Sequence, residues 1–491
     1  MNNSPRQDRP SDTKPRNFPP RPDDGFPLLG NMPAFAGNQL GYPGKVTRKY
    51  GDIVDLNLAG WRTWLVSDME ALEQILVRDH GKFIKTPLIW RQIRAVFGFG
   101  LLSSDGSLWQ HQRRLAAPHF TPRRVQEYDS LIVSLARKEV DRWQDETTFD
   151  IHPHMMNLML RIVTGTMFDA DAESEVEIME RALTLLLKEM AHRFRRPVLI
   201  PDWVPLPSNR RYLRAIGEID GVVDRLLQER RVNGTQGRTD YLSSLMDSRD
   251  ENGQPMSDTQ IRDEAVTVLL AGHETTALTM TWAFYLLARH PDIQAKVIAE
   301  IESEIGHRDA TSADMPKLQY TQAVITESMR LYPAGWMFGR ESTQDCEIKG
   351  YHCPKGTQIL IAPWVLHRDP RYYDTPEAFR PERWLDGLAQ RLPRYAFLPF
   401  GGGPRICIGN SLALLETTLS LVTILQRGSL EWRGDHPVKP YPSATLIPQG
   451  GVHVAFRRRS EEAPCEDRLV AASSPSGPAQ GRNEAGAPGL P

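Results

Sequence analysis

Apolar residues recur at helical spacing through most of the middle of the chain, in steps of three and four that place them on one face of a helix. The clearest run opens at Ser257-Asp258-Thr259-Gln260, which has the form of a capping box. It continues through DEAVTVLLAGHETTALTMTWAFYLLARH to a stop at Pro291. About 33 residues at a rise of about 1.5 Å span roughly 50 Å, more than the width of a small domain, so this helix is expected to cross the whole molecule. Gly272 and the Thr275-Thr276 pair fall in its middle, where a glycine costs about 1 kcal/mol relative to alanine and interrupts the packing surface. Something is expected to sit against that gap.

Strand patterns are fewer. The segments GDIVDLNLAGWRTWLVSD and CEIKGYHCPKGTQILIAPWV read as hairpins that turn at Gly60 and at Pro354-Lys355-Gly356. The fold class predicted is therefore mainly α, with small β-sheets set to one side. Residues 1–25, rich in Pro, Arg and Asp, and residues 457–491, rich in Pro, Gly, Ser and charge, read as a disordered lead and tail. No linker or internal repeat separates them, so 26–456 is expected to be one large domain.

Composition narrows the function classes. At roughly 150 residues per domain, 491 residues allow about three ordinary domains or a single unusually large one. Lys and Arg number 59 against 61 Asp and Glu, a net charge of −2, which supplies no global field for nucleic acid or an anionic membrane. With 24% charged and 40% hydrophobic residues, neither a disordered chain nor an integral membrane protein fits the whole. Cys346, Cys353, Cys407 and Cys465 are too few and too scattered for a disulfide scaffold, and no C-x-x-C pair suggests structural zinc. The start of the chain lacks the apolar core of a signal peptide, and no run reaches the ~18–20 apolar residues of a membrane span. A protein of the reducing cytoplasm, without a transmembrane anchor, is expected.

The richest chemistry lies in Phe400-Gly401-Gly402-Gly403-Pro404-Arg405-Ile406-Cys407-Ile408-Gly409, which leads directly into the apolar helix NSLALLETTLSLVTILQRG. One cysteine is thus placed at a helix start, where backbone N–H groups and the helix dipole favour a thiolate. The glycines permit a tight turn against a flat ligand, and Arg405 adds positive charge beside the sulfur. A phosphate-cradling loop would need the Lys-Ser/Thr that is missing here. A lone thiolate cannot hold an iron–sulfur cluster, but it suits an axial haem ligand.

The pattern F-x-x-G-x-R-x-C-x-G, met at Phe400, Gly403, Arg405, Cys407 and Gly409, resembles the haem-thiolate loop of the soluble bacterial cytochromes P450. A bare cysteine beside a glycine turn would ordinarily be a structural residue; five matched positions reverse that reading. Ala271-Gly272-His273-Glu274-Thr275-Thr276 resembles the family's oxygen-activation motif. The resemblance implies room for dioxygen over Ala271 and Gly272, a hydroxyl from Thr275 and proton relay by Glu274. Taken alone, the two threonines would be expected to bond back to the preceding turn. A zinc HExxH site fails, because Ala277 stands where the second histidine belongs.

Glu327 and Arg330 share a helix face at i,i+3, and such a pair by itself is usually solvated. The resemblance adds Arg383, giving a buried network that supports the cysteine loop. Trp109 and Arg113 at i,i+4 can point at one spot, which in the family is a haem propionate. Arg340 matches a second propionate position and Arg405 is a third candidate, since the guanidinium fork suits a carboxylate. Phe400 and Gly401 complete the expected cofactor contacts. Substrate contacts are expected from Leu88, Ile89, Trp90, Val96, Phe97 and Phe99, from Ala334, Trp336 and Met337, and from Ile447. Nearly all are apolar, so a fatty acid, terpenoid or polyketide is expected, although each one could equally be a core residue. The Arg- and Pro-rich segment 192–211 is expected to form a mobile lid over the entry, the alternative being contact with a membrane surface.

By this resemblance, which covers residues 19–456, the chain is a monomeric monooxygenase. It would hold haem b (iron protoporphyrin IX) through Cys407 and insert one atom of O2 into a C–H bond of a lipophilic substrate. No flavin- or ferredoxin-like segment follows the domain. Electrons are expected from a ferredoxin and its NAD(P)H-dependent ferredoxin reductase, docking near Arg113, Arg114, Arg391 and Arg394. The rival expectations are a haem-thiolate peroxygenase or isomerase, and a non-catalytic haem-binding protein.

Overall fold

The capping box predicted at Ser257 forms. Its hydroxyl accepts from the Gln260 N–H at 3.3 Å and the Gln260 side chain accepts from the Ser257 N–H at 3.1 Å, starting the helix Asp258–Arg289. At 32 residues it is about 48 Å long and ends before Pro291, which opens the next helix, Pro291–Glu304. This central helix is buried on nearly every side, as a helix that is largely apolar all round must be. The helix Ile151–Phe168 lies along it, and the helices Gln319–Leu331 and Asn410–Arg427 also pack on it. Trp282 stacks flat on Tyr332 at 4.1 Å, fixing its second half to the end of Gln319–Leu331.

This computed structural model describes residues 17–86, 93–169, 173–194, 200–249 and 253–459. The sheets are small and peripheral to the helical core. One has five strands in the order Ile53–Leu58, Trp61–Val66, Gln358–Ile361, Phe338–Ser342, Phe83–Ile84, all antiparallel neighbours except the parallel second and third. A second joins Thr148–Asp150, His453–Arg458 and Gly428–Trp432. Two hairpins complete the set, Lys439–Pro442 with Leu446–Gln449 and Cys346–Ile348 with Tyr351–Cys353.

The first predicted hairpin turns at Gly60, whose φ of +91° is open to glycine. The second differs from expectation. Its strands reverse at Lys349-Gly350, and the Pro354-Lys355-Gly356 turn instead passes the chain to Gln358–Ile361 in the five-stranded sheet. A proline-glycine turn marks a reversal without saying which sheet receives the next strand.

Residues 17–25, assigned to the lead by composition, find partners on the five-stranded sheet and on the Cys346–Cys353 hairpin. The Pro20 carbonyl accepts from the Asp55 N–H at 2.9 Å, the Arg21 guanidinium meets the buried Asp55 carboxylate at 2.8 Å, and the Asn17 carbonyl accepts from His352. The strand His453–Arg458 likewise runs past residue 456. No helix among the described residues is long and apolar enough to cross a membrane.

Candidate functional site

The cysteine loop is closed by its own backbone: the Cys407 N–H donates to the Phe400 carbonyl at 2.9 Å and the Ile406 N–H to Gly403 at 3.0 Å. Glycine is required at 403. Its φ is +68° and a Cβ there would overlap the Leu76 carbonyl oxygen, so the loop and the turn Gln74–Arg78 meet backbone to backbone. Gly409 caps the helix Asn410–Arg427, and its N–H points at the Cys407 sulfur.

Cys407 has an accessible side chain and is nevertheless surrounded by protein on nearly all sides, the combination of a group that lines an internal hollow. Burial pushes its thiol up, against the Gly409 N–H and the Arg113 charge, which pull it down. The thiolate expected from the helix start is therefore disfavoured in the protein alone, and a bound metal cation is what would bring the sulfur to its anionic form.

The central helix offers the same combination on one strip. Ala271, Gly272, Glu274, Thr275 and Thr279 are partly accessible in a stretch where the neighbouring residues are buried. Gly272 lies against Val163, and a Cβ there would come within 3.2 Å of that side chain. The Thr275 hydroxyl donates to the Ala271 carbonyl at 2.6 Å and Thr279 to Thr275 at 2.9 Å, the back-bonding expected of mid-helix threonines. Glu274 accepts from the Thr445 hydroxyl at 2.8 Å, and burial pushes its carboxyl up to about 7. His273 turns away. It shares a hydrogen bond with the Met156 carbonyl at 2.9 Å and is pushed down to about 4 by burial, so it stays neutral.

Trp109 and Arg113 lie on the helix Gly106–Ala116. Arg113 donates to the Ile406 carbonyl at 2.8 Å, beside the cysteine, and the Arg405 guanidinium stacks over the Trp109 ring at 4.2 Å. Arg405 also pairs with Asp105 and donates to the Ser104 carbonyl at 2.8 Å, so most of its fork is already occupied. Arg340 is enclosed and pushed down to about 10, by burial first and then by the Arg405 charge. Lys85, which the sequence reading did not single out, is pushed well below its ordinary range by burial, Arg405 and Arg340. Three cations thus crowd together with the Asp105 carboxylate acting on all of them. Such an excess of enclosed positive charge suits a dianion such as the paired propionates of a haem, and with the enclosed sulfur it fits that cofactor.

The Glu327–Arg330 pair is wholly buried, not solvated. Arg330 meets Glu327 with two bonds of 2.8 Å, Arg383 adds a third at 3.0 Å and the Trp384 indole a fourth at 2.8 Å. Arg330 then reaches the His367, Pro376 and Ala378 carbonyls, and Arg383 reaches Asp374. His367 carries this framework toward the cysteine loop: its Nδ1 faces the Arg330 carbonyl at 3.2 Å and its Nε2 accepts from the Leu398 N–H at 2.8 Å. Burial pushes its imidazole down to about 3, so the ring is neutral and can accept there.

The expected substrate contacts are distributed unevenly. Leu88, Ile89 and Trp90 lie outside the described residues. Val96 and Phe97 are buried in the main core, while Phe99 is half exposed under the Arg94 guanidinium. Met337 packs on a small cluster beside the five-stranded sheet. Ala334, Trp336 and Ile447 converge at the hairpin tip. The Leu446 N–H donates to the Ala334 carbonyl at 3.0 Å and the Trp336 indole to Ser443 at 2.8 Å. The Trp282 indole of the central helix donates to the Leu446 carbonyl at 2.9 Å. Of the segment 192–211, residues 195–199 lie outside the described residues; Arg193 pairs with Asp202 and stacks on Tyr212.

A long buried helix with an accessible polar strip, a lone enclosed cysteine at a helix start and a cluster of enclosed cations define a haem-thiolate oxygenase. Residues 19–456 match the family model for cytochrome P450, and the chain belongs to that family. It is 33% identical over 431 residues to Cyclooctatin synthase of Streptomyces melanosporofaciens, covering 87% of this chain and 91% of the relative. It is 34% identical over 422 residues to Cyclooctat-9-en-7-ol 5-monooxygenase of the same organism, covering 86% and 89%. It is 33% identical over 402 residues to Pentalenene oxygenase of Streptomyces avermitilis, covering 81% and 88%. The protein is an enzyme of the haem-thiolate monooxygenase type, and its family carries a haem-iron cofactor.

Proposed function

We propose that the chain holds haem b through Cys407 and oxygenates a C–H bond of a lipophilic cyclic substrate. The observation that carries this reading is the enclosed Cys407 sulfur, with the Gly409 N–H on it and Arg113 beside it. Trp109, Arg113, Arg340 and Lys85 would hold the propionates, with Arg405 bracing Trp109 from above. The bound group supplies dioxygen activation and oxygen insertion.

The chain's own part is proton handling and positioning. The Glu274 carboxyl, poised at about 7, exists in both forms near neutrality, as a proton relay requires. Thr445 holds it on the strip beside Thr275. Thr275 spends its proton on the Ala271 carbonyl, so it offers lone pairs as it stands and donates only by releasing that bond. Ala334, Trp336 and Ile447 would orient the substrate at the tip that also carries Thr445. The names of two relatives, an alkene oxygenase and a cyclic alkenol monooxygenase, support a terpenoid over a fatty acid or polyketide.

Electrons would come from a ferredoxin and its NAD(P)H-dependent reductase, with the enzyme acting as a monomer. Turnover with NAD(P)H, both redox proteins and a panel of cyclic hydrocarbons tests the reading. A hydroxylated product and a substrate-induced haem spectral change are expected. Product formed only with hydrogen peroxide, or no spectral response to any lipophilic compound, would overturn it.

A further inference from the structure

Cys346 and Cys353 belong to a hairpin separate from the loop that carries Cys407. The strands Cys346–Ile348 and Tyr351–Cys353 reverse over Lys349 and Gly350, both with positive φ (51° and 80°), the geometry of a two-residue hairpin turn. The antiparallel register sets Cys346 directly opposite Cys353. Directly opposed Cα atoms lie about 4.5–5.5 Å apart, within the ~4.4–6.8 Å that disulfides span. Opposed side chains also share one face of the hairpin. Each thiol is the first influence on the other's titration, as expected of two sulfurs facing each other across one rung of the hairpin.

The two sulfurs are not equivalent. Cys353 is fully buried in the apolar cluster with Trp64 and Ile348, whereas Cys346 is partly exposed at its edge. The neighbouring Cys353 thiol, followed by the Lys82 charge, draws the Cys346 thiol down despite partial burial and the charges of Asp79 and Asp345. The neighbouring Cys346, and then burial, holds the Cys353 thiol up. A partly exposed thiol that ionises the more readily of the two, next to a buried partner that keeps its proton, is the arrangement of an attacking and a resolving cysteine.

We propose that Cys346 and Cys353 form a peroxide-responsive dithiol, with Cys346 as the attacking sulfur and Cys353 as the resolving one. The Cys346 sulfur attacks one oxygen of hydrogen peroxide. The O–O bond breaks, hydroxide leaves and takes up a proton as water, and Cys346 becomes a sulfenic acid; sulfur has lost two electrons and the peroxide has gained them. The Cys353 sulfur then attacks Cys346, the S–S bond forms and the S–O bond breaks. The Cys353 proton goes to the departing hydroxide as a second water. Two thiols and one peroxide thus give one disulfide and two waters. Dioxygen that takes up two electrons and two protons without reaching substrate leaves as hydrogen peroxide, so an oxygenase can generate this oxidant at its own surface. The product would staple a hairpin that is docked on Gln74, whose side chain donates to the Glu347 carbonyl at 2.7 Å.

The test uses the full chain with its haem, treated with hydrogen peroxide, quenched in acid, unfolded, alkylated and digested with trypsin. Cleavage after Lys349 separates the two cysteines. A disulfide then holds peptides 341–349 and 350–355 together as one reductant-sensitive species, two hydrogens lighter than their sum. Cys346 and Cys353 are expected to lose alkylation together as this species grows. In Cys353→Ser a dimedone-type probe should trap a sulfenic acid at Cys346, and in Cys346→Ser the Cys353 thiol should stay alkylatable. A haem spectrum recorded on each variant verifies folding. The proposal is overturned if both wild-type thiols stay alkylatable under peroxide that consumes glutathione in the same tube, or if Cys353 oxidises equally well in Cys346→Ser.

Discussion

The Thr445 hydroxyl donates to Glu274 at 2.8 Å, tying the tip of the 439–449 hairpin to the middle of the central helix. Burial has pushed the Glu274 carboxyl up to about 7, and the Thr445 bond opposes that rise. In Thr445→Val the carboxyl should therefore rise further, and the inflection that Glu274 gives to the pH dependence of turnover should move to higher pH. In Glu274→Gln that inflection should vanish and turnover fall by about 10²–10⁴-fold, the usual worth of a positioned acid or base. Initial rates across the neutral range check both outcomes. An unmoved inflection in Thr445→Val would remove Thr445 from the relay.

The buried Glu327–Arg330–Arg383 network should behave as scaffold rather than chemistry. Glu327→Gln leaves two enclosed guanidinium groups short of charge, and breaking a buried pair in this way costs about 3–5 kcal/mol. Thermal unfolding should shift down and haem incorporation fall, while haem-loaded molecules keep near-normal turnover per haem. Normal haem content with lost turnover would assign Glu327 to catalysis instead.

How legible these features were in the sequence depends on where their partners lie along the chain. The central helix, its capping box and the Gly60 hairpin were readable because their determinants are local. The loop around Cys407 was readable because its residue types are compressed into one short motif. The spacing of Glu327 and Arg330 gave their shared face but not its burial, since the groups that enclose them (Trp384, Asp374, and the His367 and Pro376 carbonyls) come from a distant segment. Thr445, Lys85 and Asp105 carried no local signal at all; only the tertiary fold brings them to Glu274, Arg340 and Arg405. Residues 17–25 read as lead because they are polar and proline-rich, yet their backbone and Arg21 find partners on the sheet.

Enclosed cations make the next prediction two-sided. Arg340 is held down to about 10 by burial and by the charge of Arg405. In Arg340→Met the haem-free protein should unfold at a temperature no lower than wild type, because a poorly solvated charge is gone. Haem should dissociate faster from the same variant, because a propionate partner is gone. Calorimetry of the haem-free protein and haem transfer to an acceptor such as apomyoglobin measure the two effects separately. Unchanged haem dissociation would exclude Arg340 from the propionate set.

Glu416, on the helix Asn410–Arg427, is fully enclosed, and burial pushes its carboxyl up to about 8. The folded protein therefore holds this proton over a pH range in which the unfolded chain, titrating near the ordinary 4.5, has released it. The folded state binds more protons there, so its stability is greatest below the unfolded value and falls as pH rises through about 8. Glu416→Gln should flatten that decline, stabilising the protein above neutrality relative to wild type and giving no such gain under acidic conditions. Denaturant unfolding at an acidic and an alkaline pH decides it; an equal effect at both would remove Glu416 as the source.

The cysteine loop admits a direct structural check. Gly403 has a φ of +68° and faces the Leu76 carbonyl, so Gly403→Ala combines a left-handed penalty of about 1–2 kcal/mol with a backbone overlap. Haem content should drop sharply in this variant. A fully loaded, normally active Gly403→Ala enzyme would mean that the close approach of the loop to Gln74–Arg78 is dispensable.

The identity of the axial ligand is tested most directly by the carbon-monoxide difference spectrum of the reduced protein, compared between the wild type and Cys407→Ala. The wild type should show the red-shifted band of a thiolate-ligated haem, and Cys407→Ala should lose it while keeping its helical circular-dichroism signal. A variant that retained the wild-type band would contradict the assignment of Cys407 as the iron ligand.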